Sequence, residues 1–155
     1  LFLSREANVS VKDVRAMVLG GHGDDMVPVL SMTTINGVPA STLIGKEKLN
    51  SIVERTRKGG GEIVNLMGTS AYYAPASSAV AMAEAFLLDQ KRLLPVASYL
   101  DGEYGYKDIF MGVPAIIGGN GIEKIVEIPL TEEEKGMLKK SAASVQSVID
   151  VVKKS

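Results

Sequence analysis

The chain has one histidine and no cysteine, so its chemistry rests on few candidates. His22 stands in Val18-Leu19-Gly20-Gly21-His22-Gly23-Asp24-Asp25-Met26-Val27-Pro28, at the end of a β-rich run. Glycines on both sides remove side-chain bulk, so a ligand could approach the imidazole closely. Histidine is also the side chain whose unperturbed pKa lies nearest neutral pH, which suits reversible proton transfer. A histidine on a turn equally serves as ordinary structure, and these residues alone leave both readings open. A metal site built from His22, Asp24 and Asp25 needs further donors, and there is no second histidine to supply one. No metal is expected. Without cysteine there is no disulfide framework, thiolate nucleophile or Cys-ligated zinc, and a reducing, cytoplasmic setting is allowed and expected.

Gly118-Gly119-Asn120-Gly121 invites comparison with a phosphate cradle. Such a cradle requires a helix to follow, with its N-terminus meeting the phosphate. Here Ile122-Glu123-Lys124-Ile125-Val126-Glu127-Ile128 alternates like a strand, so Asn120-Gly121 reads as a hairpin turn. Neither a Walker loop nor a Gly-x-Ser-x-Gly elbow is present. A nucleotide-phosphate site is therefore not expected within these residues.

The elements that position these groups follow from periodicity. Residues 1–7 read as the end of a helix stopped near Asn8. Val14 to Gly20 is β-rich, Pro28 to Ser31 could be a short strand, and Asn36-Gly37 signals a hairpin. From Lys46 the period becomes helical, with Leu49, Ile52, Val53 and Thr56 on one face, continued by Ile63, Leu66 and Met67. Gly59-Gly60-Gly61 interrupts that face, as a break between two helices or a kink within one. A second helix is predicted over Ser77 to Lys91, apolar around its axis and so nearly enclosed. Strands are predicted over Leu94–Leu100, Ile109–Ile117 and Ile122–Ile128. Thr131 then opens the last helix, with Glu134 completing a capping box and Leu138, Ala142, Val145, Ile149 and Val152 forming its apolar stripe. Glu132, Glu133 and Glu134 complement its positive end, and Lys153 and Lys154 its negative end. Strands grouped with strands, and long helices packed beside them, predict an α+β fold of twisted antiparallel strands.

At 155 residues, with 46% apolar, the chain fits one domain with a sizeable core. Its 17 basic and 18 acidic residues give no general attraction to nucleic acid or anionic lipid. Met26–Gly45 and Ile63–Ala83 are uncharged over 20 and 21 residues, long enough to span a bilayer. Both are interrupted by prolines, serines, threonines and asparagines, so neither is expected to enter a membrane. No signal peptide is recognisable at Leu1-Phe2-Leu3-Ser4-Arg5-Glu6. Beginning on an apolar triplet rather than Met, the chain is expected to be part of a longer one.

Several segments carry a family resemblance. Val9-Ser10-Val11-Lys12-Asp13-Val14, the run from Val18 to Pro28, and Glu54-Arg55-Thr56-Arg57-Lys58-Gly59-Gly60-Gly61-Glu62-Ile63-Val64 resemble the lactate/malate type of 2-hydroxyacid dehydrogenase. Ser70-Ala71-Tyr72-Tyr73-Ala74-Pro75-Ala76, Gly112-Val113-Pro114 and Gly119-Asn120-Gly121 continue the similarity in the family's order. Within that family the chain looks most like the bacterial malate dehydrogenases built on the lactate dehydrogenase plan. The resemblance implies that residues 1–155 are the C-terminal substrate and catalytic domain. It places an N-terminal Rossmann domain for NAD, together with the family's carboxylate-binding arginine and histidine-orienting aspartate, outside this chain. Arg5 follows the motif holding that arginine and is not its counterpart; Asp24 and Asp25 do not replace the aspartate.

By the same resemblance, neutral His22 would accept the C2 hydroxyl proton while C2 gives hydride to NAD. Gly21 would leave room beside the ring, Ser70 and Ala71 would lie along the substrate pocket, and Pro75 near the nicotinamide. Ser70 could instead cap the following helix, and Pro75 could simply start it. Malate and oxaloacetate, the Rossmann half and further copies of the chain are the implied partners. Lactate oxidation is the alternative chemistry, and a purely folding or oligomer-forming role is the alternative for this piece alone. The helices over Lys46–Met67 could serve oligomer contacts or be consumed by the domain's own core.

Overall fold

The computed structural model describes residues 1–154. Its elements run α1 (Phe2–Glu6), β1 (Val14–Arg15), β2 (Val18–Leu19), β3 (Val27–Pro28), β4 (Thr34–Ile35), β5 (Val38–Pro39) and α2 (Ala40–Leu43). They continue with α3 (Lys46–Arg57), α4 (Gly59–Met67), α5 (Tyr73–Leu87), β6 (Arg92–Asp101), β7 (Lys107–Gly118), β8 (Gly121–Ile125) and α6 (Glu132–Val152). All strand pairs are antiparallel, as the α+β expectation requires.

The frame is the β6–β7–β8 meander. Val96, Ser98 and Leu100 of β6 and Ile109, Met111, Val113, Ala115 and Ile117 of β7 alternate onto one buried face. Two helices cover that face at different places. Leu138 and Ala142 of α6 close over Leu100, Ile109, Met111 and Val113, joined by Leu19, Val27 and Val29 from β2 and β3. Ala85 of α5 closes over Val96, Ala115 and Ile117. A separate cluster of Ile35, Ala40, Ile44 and Leu49 holds the β4–β5 hairpin against α2 and α3. At the hairpin tip Asn36 and Gly37 take φ of 49° and 86°, the two left-handed residues of the turn that Asn-Gly signals.

The strand predicted from Val14 to Gly20 is instead two short strands in different sheets. Val14 and Arg15 pair with β4, while Val18 and Leu19 pair with β3. The strand expected over Pro28–Ser31 ends at Pro28 and passes into a 3-10 turn at Leu30–Met32. The glycine triplet does not break the α3–α4 helix into independent pieces. Only Lys58 separates them, in right-handed geometry, with backbone bonds from Lys58 N–H to Glu54 O and from Glu62 N–H to Lys58 O. The glycines occupy the first turn of α4, where N–H groups lack helical partners in any case. Arg55 splints the junction by donating twice to Glu62, at 2.7 and 3.2 Å. Along this helix Leu49 is buried and Leu66 is 79% exposed, so the domain's own core uses only the first part of the predicted stripe.

The helix expected over Ser77–Lys91 starts at Tyr73, and it is not enclosed. Val80, Met82, Phe86, Leu87 and Leu88 are exposed, and Ala85 alone is fully buried. Uniform apolarity hid which face would be covered, because the sheet accepts only the small side of this helix.

The capping box of α6 forms as predicted: Thr131 Oγ1 accepts from Glu134 N–H, and Glu134 accepts from Thr131 N–H at 2.9 Å. Glu134 also receives the Ser31 N–H at 3.0 Å and the Ser31 hydroxyl at 2.8 Å. Burial works against its ionisation, but these four hydrogen-bonding groups of Ser31 and Thr131 outweigh it and hold the carboxyl below the ordinary glutamate value. The folded state therefore favours the carboxylate, so this stabilisation is present above the ordinary value of 4.5 and fades as pH falls through the lower folded value. Glu134→Gln should cost about 1–3 kcal/mol at pH 7, read as a lowered urea midpoint. The gap between variant and unmutated protein should narrow toward pH 3; a gap independent of pH would contradict the assignment.

Candidate active site

β8 covers the edge of β7 only between Ala115 and Gly118. Past Pro114, whose carbonyl accepts from Val126 N–H at 2.8 Å, Gly20 takes the edge. Gly20 N–H donates to Gly112 O and Gly112 N–H to Gly20 O, both at 2.8 Å. This mutual bridge fixes the backbone two residues before His22. Both positions require glycine. A Cβ on Gly112 would lie 2.8 Å from Gly20 O, and one on Gly20 would lie 2.4 Å from Ser141 Oγ. Gly20 also has φ of 90°, which side chains rarely tolerate.

The next residue is held by α6. Gly21 N–H donates to Ser141 Oγ at 2.8 Å, and the hydroxyl is fully buried. Space for a side chain at Gly21 is already taken by Val145, whose Cγ2 would lie 2.9 Å from a Cβ there. Gly21 is thus needed for helix packing, whatever room it also leaves for a ligand. Beyond His22 the chain turns back, with Met26 N–H donating to Gly23 O at 3.0 Å. Asp25 accepts from Ser144 at 2.7 Å and pairs with Lys140 at 2.7 Å. Hydrogen bonds from Lys140 first, and Ser144 second, hold the Asp25 carboxyl below the ordinary aspartate value. Arg57 of α3 donates to Met26 O at 3.2 Å and so grips the end of the loop.

His22 itself is exposed between these anchors. Its ring borders a cavity of about 610 Å³ bounded by Val18, Met26, Ala97, Phe110, Met111 and Val145. The walls are apolar, so an imidazole there faces little competing protein charge. Ser70, Ala71 and Pro75 do not line this cavity. Ser70 and Ala71 lie on the connection between α4 and α5, and Pro75 in the first turn of α5. Tyr72, not Ser70, is the residue preceding that helix, and it makes no side-chain cap. Asp25, set aside in the sequence as a replacement for an orienting carboxylate, is engaged with α6 instead.

The Gly118–Gly121 segment is the β7–β8 hairpin, as its alternation predicts. A Cβ on Gly118 would meet Glu123, Lys91 and Asp89, all within 2.8 Å. Gly119 N–H already donates to Asp89 at 2.5 Å. Two carboxylates and a committed amide make this loop unfit for a dinucleotide's phosphates.

Apolar periodicity alone does not single out Ser141 and Ser144 of α6. Ser141 lies three residues after Leu138 and four before Val145, squarely on the buried stripe of α6. A lone hydroxyl on an otherwise apolar stripe was the available signal, since a buried hydroxyl needs a partner.

The chain matches, over residues 1–155, the family described as lactate/malate dehydrogenase, alpha/beta C-terminal domain. It is 81% identical to the malate dehydrogenase of Sorangium cellulosum across the whole chain, which covers 50% of that protein. The solved malate dehydrogenase of Salinibacter ruber aligns with a TM-score of 0.96 at 50% identity, over 99% of this chain and 50% of that one. A Cryptosporidium parvum lactate dehydrogenase, solved with lactic acid and NAD, also gives 0.96, at 41% identity over 99% of this chain and 50% of its own. The chain thus spans about half the length of the curated relatives it matches.

Gly20→Ala should destabilise by about 1–3 kcal/mol, through overpacking against Ser141 and a strained φ. Gly23→Ala, with nothing within 4 Å of a new Cβ, should shift the urea midpoint by less than half as much. Equal effects would refute the close approach.

Proposed function

The chain belongs to the lactate/malate dehydrogenase family, and we propose that it is the catalytic half of an NAD-dependent malate dehydrogenase in which His22 carries the proton. The observation that carries this reading is the only histidine of the chain, exposed beside a cavity on a loop anchored on both sides. The 81% identity to a malate dehydrogenase over every residue supports malate as the substrate.

In malate oxidation the neutral imidazole of His22 accepts the proton of the C2 hydroxyl as the C2–H bond breaks. The nicotinamide, when bound, supplies the acceptor for the hydride that leaves C2. In the reverse direction the imidazolium returns its proton to the carbonyl oxygen of oxaloacetate and stabilises the charge developing there. Ser70 and Ala71, on the α4–α5 connection, would bound the substrate from outside the His22 cavity, Gly21 would keep the ring's approach clear, and Pro75 would serve the nicotinamide. The phosphates of NAD find no cradle at the β7–β8 hairpin, so their binding falls to a Rossmann half outside this chain. That half is the first partner; further copies of the protein are the second. The cytoplasm is the compartment this chemistry suits.

Lactate oxidation is the second reading, favoured by the equal TM-score of the lactate dehydrogenase structure. The full-length protein decides between them: kcat/KM should be higher for malate than for lactate. A preference for lactate would overturn the substrate assignment while leaving His22 in place.

His22→Asn in the full-length protein should cut turnover by about 10²–10⁴-fold with NADH affinity unchanged. Near-normal turnover would remove His22 from the proton-transfer step. Residues 1–155 expressed alone should show no malate or lactate oxidation, because positioning two reactants together is worth about 7–11 kcal/mol and this half cannot hold the dinucleotide. Robust NAD-dependent oxidation by the isolated chain would place the cofactor site here.

A further inference from the structure

Four side chains of α6 lay the chain from Gly21 to Ser31 along one helix. Glu134 holds Ser31, Ser141 holds Gly21, and Ser144 with Lys140 holds Asp25. The contacts fall at positions 134, 140, 141 and 144 of α6, which share one side of an α-helix. Of these, Ser141 is fully buried, holds the residue next to His22 and has no slack. Gly20 and Gly21 lack side chains where Ser141 and Val145 press against them, and Gly20 is tied to Gly112 from the other direction.

We propose that Ser141 is a positioning residue for His22: its hydroxyl oxygen, by accepting the Gly21 N–H, makes the seat of α6 on the sheet decide where the imidazole stands. The proposal rests on His22 being the proton carrier. Ser141 touches no reacting atom. Its effect is transmitted through one peptide unit, since the amide it holds belongs to the residue immediately before His22. Without that acceptor, Gly21 keeps the Gly20–Gly112 bridge behind it but loses its tie to the helix, and the ring can turn away from a substrate hydroxyl. Proton transfer falls off steeply with such misplacement, whereas cofactor affinity depends on neither group.

In the full-length protein, Ser141→Ala should lower kcat for malate oxidation about tenfold at saturating NAD, with the NADH dissociation constant unchanged. Ala142→Gly, next along the same helix and buried in the core, serves as the control for lost stability. It should lower Tm at least as much as Ser141→Ala yet keep kcat within about twofold, since glycine costs about 1 kcal/mol in a helix interior. Ser144→Ala, a half-buried and milder change that loosens Asp25, should reduce kcat about two- to threefold and covers the case in which Ser141→Ala fails to fold. Unchanged kcat in Ser141→Ala, or equal kcat loss in Ala142→Gly at matched Tm, overturns the proposal; so does unchanged kcat in Ser144→Ala if Ser141→Ala does not fold. If the unmutated protein oxidises neither malate nor lactate, the functional reading fails separately. Hydrogen exchange of the peptide spanning residues 18–26 then decides: exchange about tenfold faster in Ser141→Ala than in Ala142→Gly sustains the positioning role, and equal exchange overturns it.

Discussion

Two hydrogen bonds between Gly20 and Gly112 govern this domain. They join the β2–β3 pair to the unoccupied edge of β7 and so convert separate short strands into an extension of the central sheet. An isolated two-residue pair is too short to hold itself in water, so its order is borrowed from the longer strand. Everything that follows Gly20 in sequence inherits its position from this junction. Both partners must be glycine: a Cβ on Gly112 would strike Gly20 O, and one on Gly20 would strike Ser141 Oγ. The cavity beside the histidine loop exists because the same junction brings β2 alongside residues 95–97 of β6 and 110–112 of β7.

α6 provides the second constraint, and it does so with polar atoms set into an apolar stripe. Leu138 and Ala142 supply burial, while Glu134, Ser141 and Ser144 supply direction. Burial alone would let a helix slide or rotate by small amounts on a smooth sheet face. Hydrogen bonds with defined donors and acceptors remove that freedom, since a slipped register would leave a buried hydroxyl or carboxylate without partners. Arg57 adds a third line from α3, reaching Met26 O while pairing with Glu54 at 2.6 Å. The loop is therefore held by the sheet, by α6 and by α3.

Much of this was legible in the residues, and the failures have a common physical origin. The Asn36-Gly37 hairpin, the Thr131–Glu134 capping box and the turn at Gly118–Gly121 depend on local chemistry, and all three form as read. The His22 loop was legible as a candidate because glycines flank a titratable group. What could not be read were features set by distant partners. Val14–Leu19 has the composition of one strand, yet its halves pair with different strands because β4 and β3 lie in different sheets. α5 is apolar all round, and sequence cannot tell which side a sheet will accept; the answer was the side bearing Ala85. Ser31 gives no hint that it completes the binding of Glu134, and nothing near Gly21 announces a serine on another element.

The hydrogen bonds that tie Ser31, Asp25 and Gly21 to Glu134, Ser144 and Ser141 span 103, 119 and 120 residues of chain. Contacts that distant are expensive in loop-closure entropy and form late in folding. During synthesis His22 leaves the ribosome before the helix that fixes it, with 120 residues of chain between Gly21 and Ser141. Through that interval the loop has its glycines and no guide, and until β7 is made its short strands lack their partner edge. The placement of the His22 loop is thus acquired only once α6 exists, and a chain lacking α6 is without the hydrogen bonds that hold it.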